Sequence, residues 1–299
     1  MSVPVSSTTS AAVDQDFSTR TGFDADFLGT RVPLPAMSER LAADAATYDR
    51  GGTPDRELRY EHFSLIMSTE HRFAIVTAVA VDGRRRLPID RTNDKWDFDP
   101  RLPQPLQVGE ELYTNNALDR GHLVRRLDPD WGDTLAESTR ANFDTFHFTN
   151  CTPQHERFNQ GKQLWAGLED YVLNNASDHR MRVIVFTGPV FSADDKEYRG
   201  VRIPRRFWKV VATVTGDGAL HATAYLLSQQ DLVGLAAPTG DDWIYGPYKT
   251  FQTSVATVES LTELDFGPLR AADPYQPEAG RFGARAEDRE LGELTDMVL

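Results

Sequence analysis

Residues Leu118 to Asp170 read LDRGHLVRRLDPDWGDTLAESTRANFDTFHFTNCTPQHERFNQGKQLWAGLED, and the fold turns on two parts of this stretch. Asp119-Arg120-Gly121-His122 sets a histidine directly after a glycine and next to an arginine. Some forty residues on, Asn159-Gln160-Gly161 opens a helical pattern that runs through Trp165, Leu168 and Val172. A histidine on an extended segment can take a proton near neutral pH. An asparagine oxygen on a following helix suits a hard cation that needs few protein ligands.

Outward from this stretch the chain reads mainly as strands and hairpins, with helices toward its ends. Upstream, Phe63-Ser-Leu-Ile-Met-Ser-Thr69 and Phe73-Ala-Ile-Val-Thr-Ala-Val-Ala-Val-Asp-Gly83 read as a hairpin. The second is apolar at most positions, as for a central strand covered on both faces. Arg84 to Glu111 is a polar, Pro-rich excursion that carries Trp96-Asp-Phe-Asp99-Pro100. Downstream, Arg182 to Phe191 is expected to be a strand closed by Gly188-Pro189, and Ile203 to Val214 another. The turn Gly216-Asp217-Gly218 joins 206–227 into a hairpin. Thr250 to Thr262 has roughly helical spacing from Phe251-Gln252 through Val255, Val258 and Leu261. Short helices are expected at Asp24–Leu28 and Met37–Tyr48. The fold class is therefore α+β. One domain is expected over 55–270, with a partly disordered N-terminal extension over 1–54 and a C-terminal tail over 271–299.

Composition bounds the function. A chain of 299 residues can bury a sizeable core, and a single cysteine, Cys151, excludes an internal disulfide framework. The N-terminus shows no secretory signal and no apolar run is long enough to span a bilayer, so the expected location is the cytoplasm. The balance is acidic, with 45 Asp and Glu against 32 Lys and Arg and a formal net charge of −13. That opposes generic nucleic-acid coating, which rests on excess basic charge. A phosphate-binding site in this chain must gather its cations locally or use a metal.

Arg91, Arg120, Arg125 and Arg126 are candidate phosphate clamps, although arginines are mostly solvated surface residues. Arg199 to Lys209 gathers basic residues around Phe207 and Trp208, either to track a backbone and stack bases or simply as a strand with one charged face. His147-x3-Cys151-x3-His155 is a rival metal motif of zinc type, weakened by Pro153 and by the lack of a fourth ligand. On its own, His122 also reads as a structural histidine, and Asn159 as a helix N-cap.

Together these motifs resemble the DNA/RNA non-specific endonuclease family, the nucleases built on a ββα-metal finger. The resemblance spans roughly Phe63 to Leu264. It rests on Asp119-Arg120-Gly121-His122, Thr149-Asn150, Thr152-Pro153-Gln154, Asn159-Gln160-Gly161 and Trp165 to Glu169, with Trp96 to Pro100, Thr187 to Val190 and Pro204 to Lys209 as lesser matches. It implies a ββα-metal finger embedded in a mixed, mainly antiparallel sheet with flanking helices. It implies His122 as general base, Asn159 as the direct protein ligand to Mg²⁺ or Mn²⁺, and Arg120, loosely joined by Arg91, on the phosphate. Asn150 becomes a supporting polar residue and Glu169 the acid that hydrogen-bonds metal-held water. DNA and RNA are the implied substrates, with 5′-phosphate and 3′-hydroxyl products, and a homodimer is common in the family. Three residues stand between Gly161 and Trp165 where the family commonly has one. In one continuous helix Asn159 and Glu169 would fall about 80° short of three full turns. Leu173 stands four residues after Glu169, where the family has an arginine. The alternative is a catalytically silent nucleic-acid or partner-binding protein of the same fold. An active nuclease would need restraint, for which the N-terminal extension, an inhibitor or an activating protease are candidates.

Overall fold

The computed structural model describes residues 16–90, 95–160, 165–229, 249–275 and 289–290. Its centre is an eight-stranded sheet. In chain order the strands are β1 (Leu58–Arg59), β2 (Phe63–Met67), β3 (Ala74–Asp82), then, after the separate pair β4 (Leu118–His122) and β5 (Cys151–His155), β6 (Arg182–Val190), β7 (Arg206–Val214), β8 (Leu220–Ser228), β9 (Lys249–Thr253) and β10 (Arg289–Glu290). The spatial order is β10-β9-β8-β7-β6-β3-β2-β1, and every pairing is antiparallel. The helices are α1 (Glu39–Asp44), α2 (Leu135–Asp144), α3 (Glu156–Gln160), α4 (Trp165–Asp178), α5 (Val255–Thr262) and α6 (Pro268–Ala271).

β3 is buried at all nine positions, so its sequence is apolar on both faces for a physical reason. Ile75, Ala78 and Ala80 join one core with Phe23, Phe27, Val32, Leu41, Val258 and Leu269. Val79 and Val81 join the opposite core with Leu123, Val124, Phe158, Leu168 and Leu173. One face thus carries α5, α6 and the N-terminal segment, while α3, α4 and the chain after β4 cover the other.

Residues 16–45 are part of this packed unit. Arg20 donates from Nε and Nη2 to the Asp144 carboxylate at 2.7 and 3.2 Å, with both side chains essentially inaccessible. A domain boundary at residue 55 would cut Phe23, Phe27, Leu28, Val32, Leu41 and Ala45 out of one core layer. Asp24–Leu28 forms turns rather than a helix, and the helix expected over Met37–Tyr48 is the shorter α1, capped by Ser38.

Three further elements differ from expectation. β6 runs through Gly188-Pro189 and ends at Val190, one residue before the expected Phe191. Its pairing with β3 ends at Thr187, so Pro189 lies beyond that ladder and forfeits no bond to β3. Gly188 is required because a Cβ would stand 2.6 Å from the Ile75 carbonyl and 2.8 Å from the Trp208 ring. Ile203 ends a short strand, Val201–Ile203, and Pro204 separates it from β7. Lys249–Thr253 is a strand, and α5 starts only after Ser254, whose hydroxyl accepts from Thr257 N–H at 3.1 Å.

Truncation to residue 55 is expected to give protein without a cooperative unfolding transition. Arg20→Met, which leaves Asp144 buried and uncompensated, is expected to cost about 3–5 kcal/mol by urea denaturation. A truncated chain that unfolds like the full one would refute this reading.

Asp82 gives a second test. Burial pushes its carboxyl up, but Arg84 and Arg85 outweigh that and bring it from 3.8 to about 2. A depressed carboxylate stabilises the fold above its ordinary value and loses that contribution as pH falls through about 2. Asp82→Asn is therefore expected to flatten the acid limb of the Tm profile between about pH 4 and 2.

Candidate active site

β4 and β5 pair antiparallel with His122 opposite Cys151, Asp119 opposite Gln154 and Leu118 opposite His155. α3 follows β5 at once, which gives a compact ββα unit. Phe158 anchors α3 in the core, with its ring 5.4 Å from that of Phe207. Asn159 therefore lies inside α3 rather than at a helix N-cap. Residues 161–164 lie outside the described residues.

Asn159 Nδ2 donates to Asp119 Oδ2 at 3.0 Å. A carboxylate can only accept, so this bond fixes which end of the amide faces Asp119. The other end, Oδ1, is the atom available to a cation. Gly121 is glycine because a Cβ would stand 2.1 Å from the Gln154 side chain. Gln154 Oε1 is buried, and no donor among the described residues reaches it. Asp119 and Gln154, opposite each other on β4 and β5, thus present a carboxylate and an amide oxygen, and Asn159 reaches Asp119 from α3. That donor chemistry fits Mg²⁺ or Mn²⁺, which prefer oxygen.

His122 ends β4. Its ring centre lies 4.6 Å from that of Trp96 and 5.1 Å from that of Phe146. Trp96 is set there by the segment after it. Asp97 exchanges backbone hydrogen bonds with Phe146 and Phe148, and Asp99 is buried against Tyr60 and Arg101. Arg120 shares the strand with His122 at i and i+2, so both side chains point the same way. Its guanidinium stands 5.9 Å from the Trp96 ring and pairs with Glu110.

Asn150 is fully buried. Its oxygen accepts from Val124 N–H at 2.9 Å, and its nitrogen donates to the Val124 and Thr145 carbonyls at 2.9 and 3.0 Å. It clamps the chain that leaves His122 to the end of α2. Glu169 sits instead in a buried ionic group. Lys209 Nζ is 3.1 Å away and Arg125 Nε is 3.8 Å away. Burial raises its carboxyl, Lys209 and Arg125 lower it, and Asp128 raises it further; the net direction is upward. The structure thus ties Glu169 to Arg125, three residues after His122. Arg126 donates to the Ile89 carbonyl at 2.7 Å, and Arg91 lies outside the described residues.

Two rival motifs fall away. Cys151 and His155 are the two ends of β5, about 13 Å apart at strand rise. Burial pushes the Cys151 thiol up to about 12, which disfavours a thiolate. His147 Nδ1 bonds the Asp144 carbonyl at 2.9 Å. These three do not converge, so the zinc reading is overturned. Phe207 and Trp208 are fully buried, so they form no base-stacking platform.

Two of the supports had no signal in the sequence. Gln229 accepts from His155 N–H at 2.8 Å and donates to the Pro153 and Pro204 carbonyls, fastening β5 to the main sheet. Lys209 reads as a surface charge in sequence but is 2% exposed. Asp119, by contrast, stands inside the quoted motif.

The family model for the DNA/RNA non-specific endonucleases matches residues 42–273. The chain belongs to the DNA/RNA non-specific endonuclease family. An uncharacterized protein, y4fB, of Sinorhizobium fredii is 40% identical over 279 residues, which cover 89% of this chain and 42% of that protein. Human mitochondrial endonuclease G is 29% identical over 52% of this chain and 50% of its own length. A nuclease of Serratia marcescens is 26% identical over 72% of this chain and 76% of its own. The chain thus spans less than half the rhizobial protein and about half of the human one. Among solved structures, one from the EndoG/EndoGI complex aligns with TM-score 0.52 at 20% identity, over 71% of this chain and 85% of that one. At that identity it shows a shared fold. No helix among the described residues is long and apolar enough to cross a membrane.

Asp119→Asn removes the carboxylate that fixes the Asn159 amide. It is expected to weaken Mn²⁺ binding about 10–100-fold, as losing an orienting partner of a ligand generally does, read by Mn²⁺ titration. Unchanged affinity would remove Asp119 from this role.

Proposed function

We propose that this endonuclease-family chain hydrolyses phosphodiester bonds of DNA and RNA, leaving 5′-phosphate and 3′-hydroxyl ends. The observation that carries the reading is the ββα unit, which ties the Asn159 amide to Asp119, three residues before His122. His122 is the general base, drawing a proton from the attacking water, with Trp96 and Phe146 holding its ring. Asn159 holds Mg²⁺ or Mn²⁺, with Gln154 and Asp119 in support. The bound ion supplies positive charge for the phosphate and the leaving oxygen. Arg120, partly exposed beside Glu110, exchanges that partner for a phosphate oxygen, and Arg91 is a second candidate on the same group.

Asn150 and Glu169 act at one remove. Asn150 fixes the path of the chain after His122, and Glu169 holds Arg125 on that side and is a further acid to hydrogen-bond metal-held water. Because residues 16–45 are structural, restraint of the activity falls to a protein inhibitor or an activating protease rather than to displacement of that segment. We further propose a homodimer working in the cytoplasm.

Plasmid DNA and single-stranded RNA, each incubated with Mg²⁺ or with EDTA, test the reading. Both are expected to be degraded with Mg²⁺ only. His122→Ala is expected to lower turnover about 10²–10⁴-fold with an unchanged circular dichroism spectrum. Asn159→Ala should remove stimulation by Mg²⁺. Retained turnover in His122→Ala would refute the base. Binding of either substrate without cleavage, under all conditions, would favour the silent binding protein.

A further inference from the structure

A second cluster lies in residues that the proposed catalysis does not use. Glu61-His62 forms the two-residue turn between β1 and β2, closed by Tyr60 N–H on the Phe63 carbonyl at 2.9 Å. Both side chains are buried, at 4% and 5% exposure. Glu137, in the first turn of α2, faces them. His62 Nδ1 lies 3.0 Å from the Pro129 carbonyl oxygen, which can only accept, so Nδ1 carries a hydrogen. Its other nitrogen, Nε2, then stands 3.0 Å from Glu137 Oε1 and 3.8 Å from Glu61 Oε1. A neutral ring in this tautomer aims its lone pair at carboxylate oxygens. Something positive must lie between them, either a proton on Nε2 or a cation.

The surroundings favour a cation. Each group has one atom anchored outward and the other turned in. Glu137 Oε2 accepts from Asp133 N–H at 2.8 Å, and Glu61 Oε2 accepts from Arg140 Nε at 2.7 Å. His62 Nδ1 is spent on Pro129, and its ring stacks on Trp131 with centres 3.5 Å apart. Outer partners of this kind are what orient metal ligands. The loop also leaves room for Glu137, because a Cβ on Gly132 would stand 2.5 Å from its Cδ. The three inward atoms lie within 4.8 Å of one another. Zinc at roughly 2.0–2.2 Å from nitrogen and oxygen places neighbouring ligands about 3.3 Å apart in a tetrahedron, between the two observed separations.

We propose that Glu61, His62 and Glu137 bind one divalent cation of zinc type, at a site that shares no residue with the Asn159 site. Such an ion ties the β1–β2 turn to α2. Two carboxylates neutralise it, while Arg140 stays on the outer oxygen of Glu61. Its role is structural, because α2 leads into Phe146 and Asn150, which hold the His122 end of β4.

The test uses the full chain carrying Asn159→Ala, so that the proposed catalytic ion does not contribute. After chelator treatment and dialysis against zinc, one equivalent of bound zinc is expected by elemental analysis. The Tm should rise with zinc and fall back with chelator. Cobalt(II) should give the intense visible bands of a four-coordinate site. Adding His62→Asn, which suits the left-handed backbone at φ 67, should abolish all three responses, and so should Glu137→Gln. If either added variant fails to fold, the cobalt spectrum of the Asn159→Ala protein decides alone. Absence of the bands, or zinc uptake unchanged by both substitutions, overturns the proposal and leaves an imidazolium between the carboxylates. Because no readout is an activity, failure here leaves the nuclease reading untouched.

Discussion

The carboxylate of Asp144 is where four parts of the chain are joined. It accepts from the Arg20 guanidinium and from the Glu61 backbone N–H, while the carbonyl of the same residue meets His147 Nδ1. Burial raises this carboxyl, and Arg20 opposes the rise. The N-terminal segment, the β1–β2 turn, the end of α2 and the segment that lines His122 are therefore interdependent. A buried charge is expensive unless compensated. The N-terminal arginine is thus a structural requirement, though nothing in the local sequence around Asp144 calls for it.

The acidic balance of the chain looks unsuited to a phosphate-rich substrate until the ion pairs are placed. Many basic residues are already used inside the fold. Arg20, Arg101 and Lys209 are buried against carboxylates, and Arg84 and Arg85 hold the turn after β3. If DNA or RNA is the substrate, as proposed above, long-range attraction offers little to the encounter, since net charge sets steering over distance. On the reading proposed above, positive charge at the reaction centre would have to be local, from Arg120 and a bound cation. This is why the oxygen-donor set around Asn159 matters more here than it would in a basic protein.

What could be read from sequence was whatever depends on neighbours along the chain. The apolar run of β3, the Gly216–Gly218 hairpin and the Asp119 to His122 motif are local patterns, and each appears where expected. What could not be read was whatever depends on contacts across the chain. Phe251-Gln252 fits a helical spacing as well as a strand, and only pairing with β8 decides it. Asn150 read only as a supporting polar residue of the site; its three bonds to backbone show a clamp. Trp96 reaches His122 only because Asp97 and Asp99 fasten its segment to Phe146 and Tyr60.

Leu173 shows how such a departure is absorbed. Family resemblance puts an arginine four residues after the helix acid, where a cation on the same face would compensate it. Here Leu173 is buried among the apolar residues under the sheet. An arginine there would have to be desolvated without a place in that core. Its charge is supplied from elsewhere instead: Lys209 reaches Glu169 from β7, and Arg125 reaches it from the chain after His122. Lys209 also bonds Thr187 on the neighbouring strand at 3.2 Å, so the compensating cation is fixed by the sheet rather than by the helix. Compensation from a rigid sheet leaves less side-chain entropy to lose than a pair of long side chains on one exposed helix face. The arrangement keeps Glu169 beside Arg125 while freeing α4 to present an apolar face to the core.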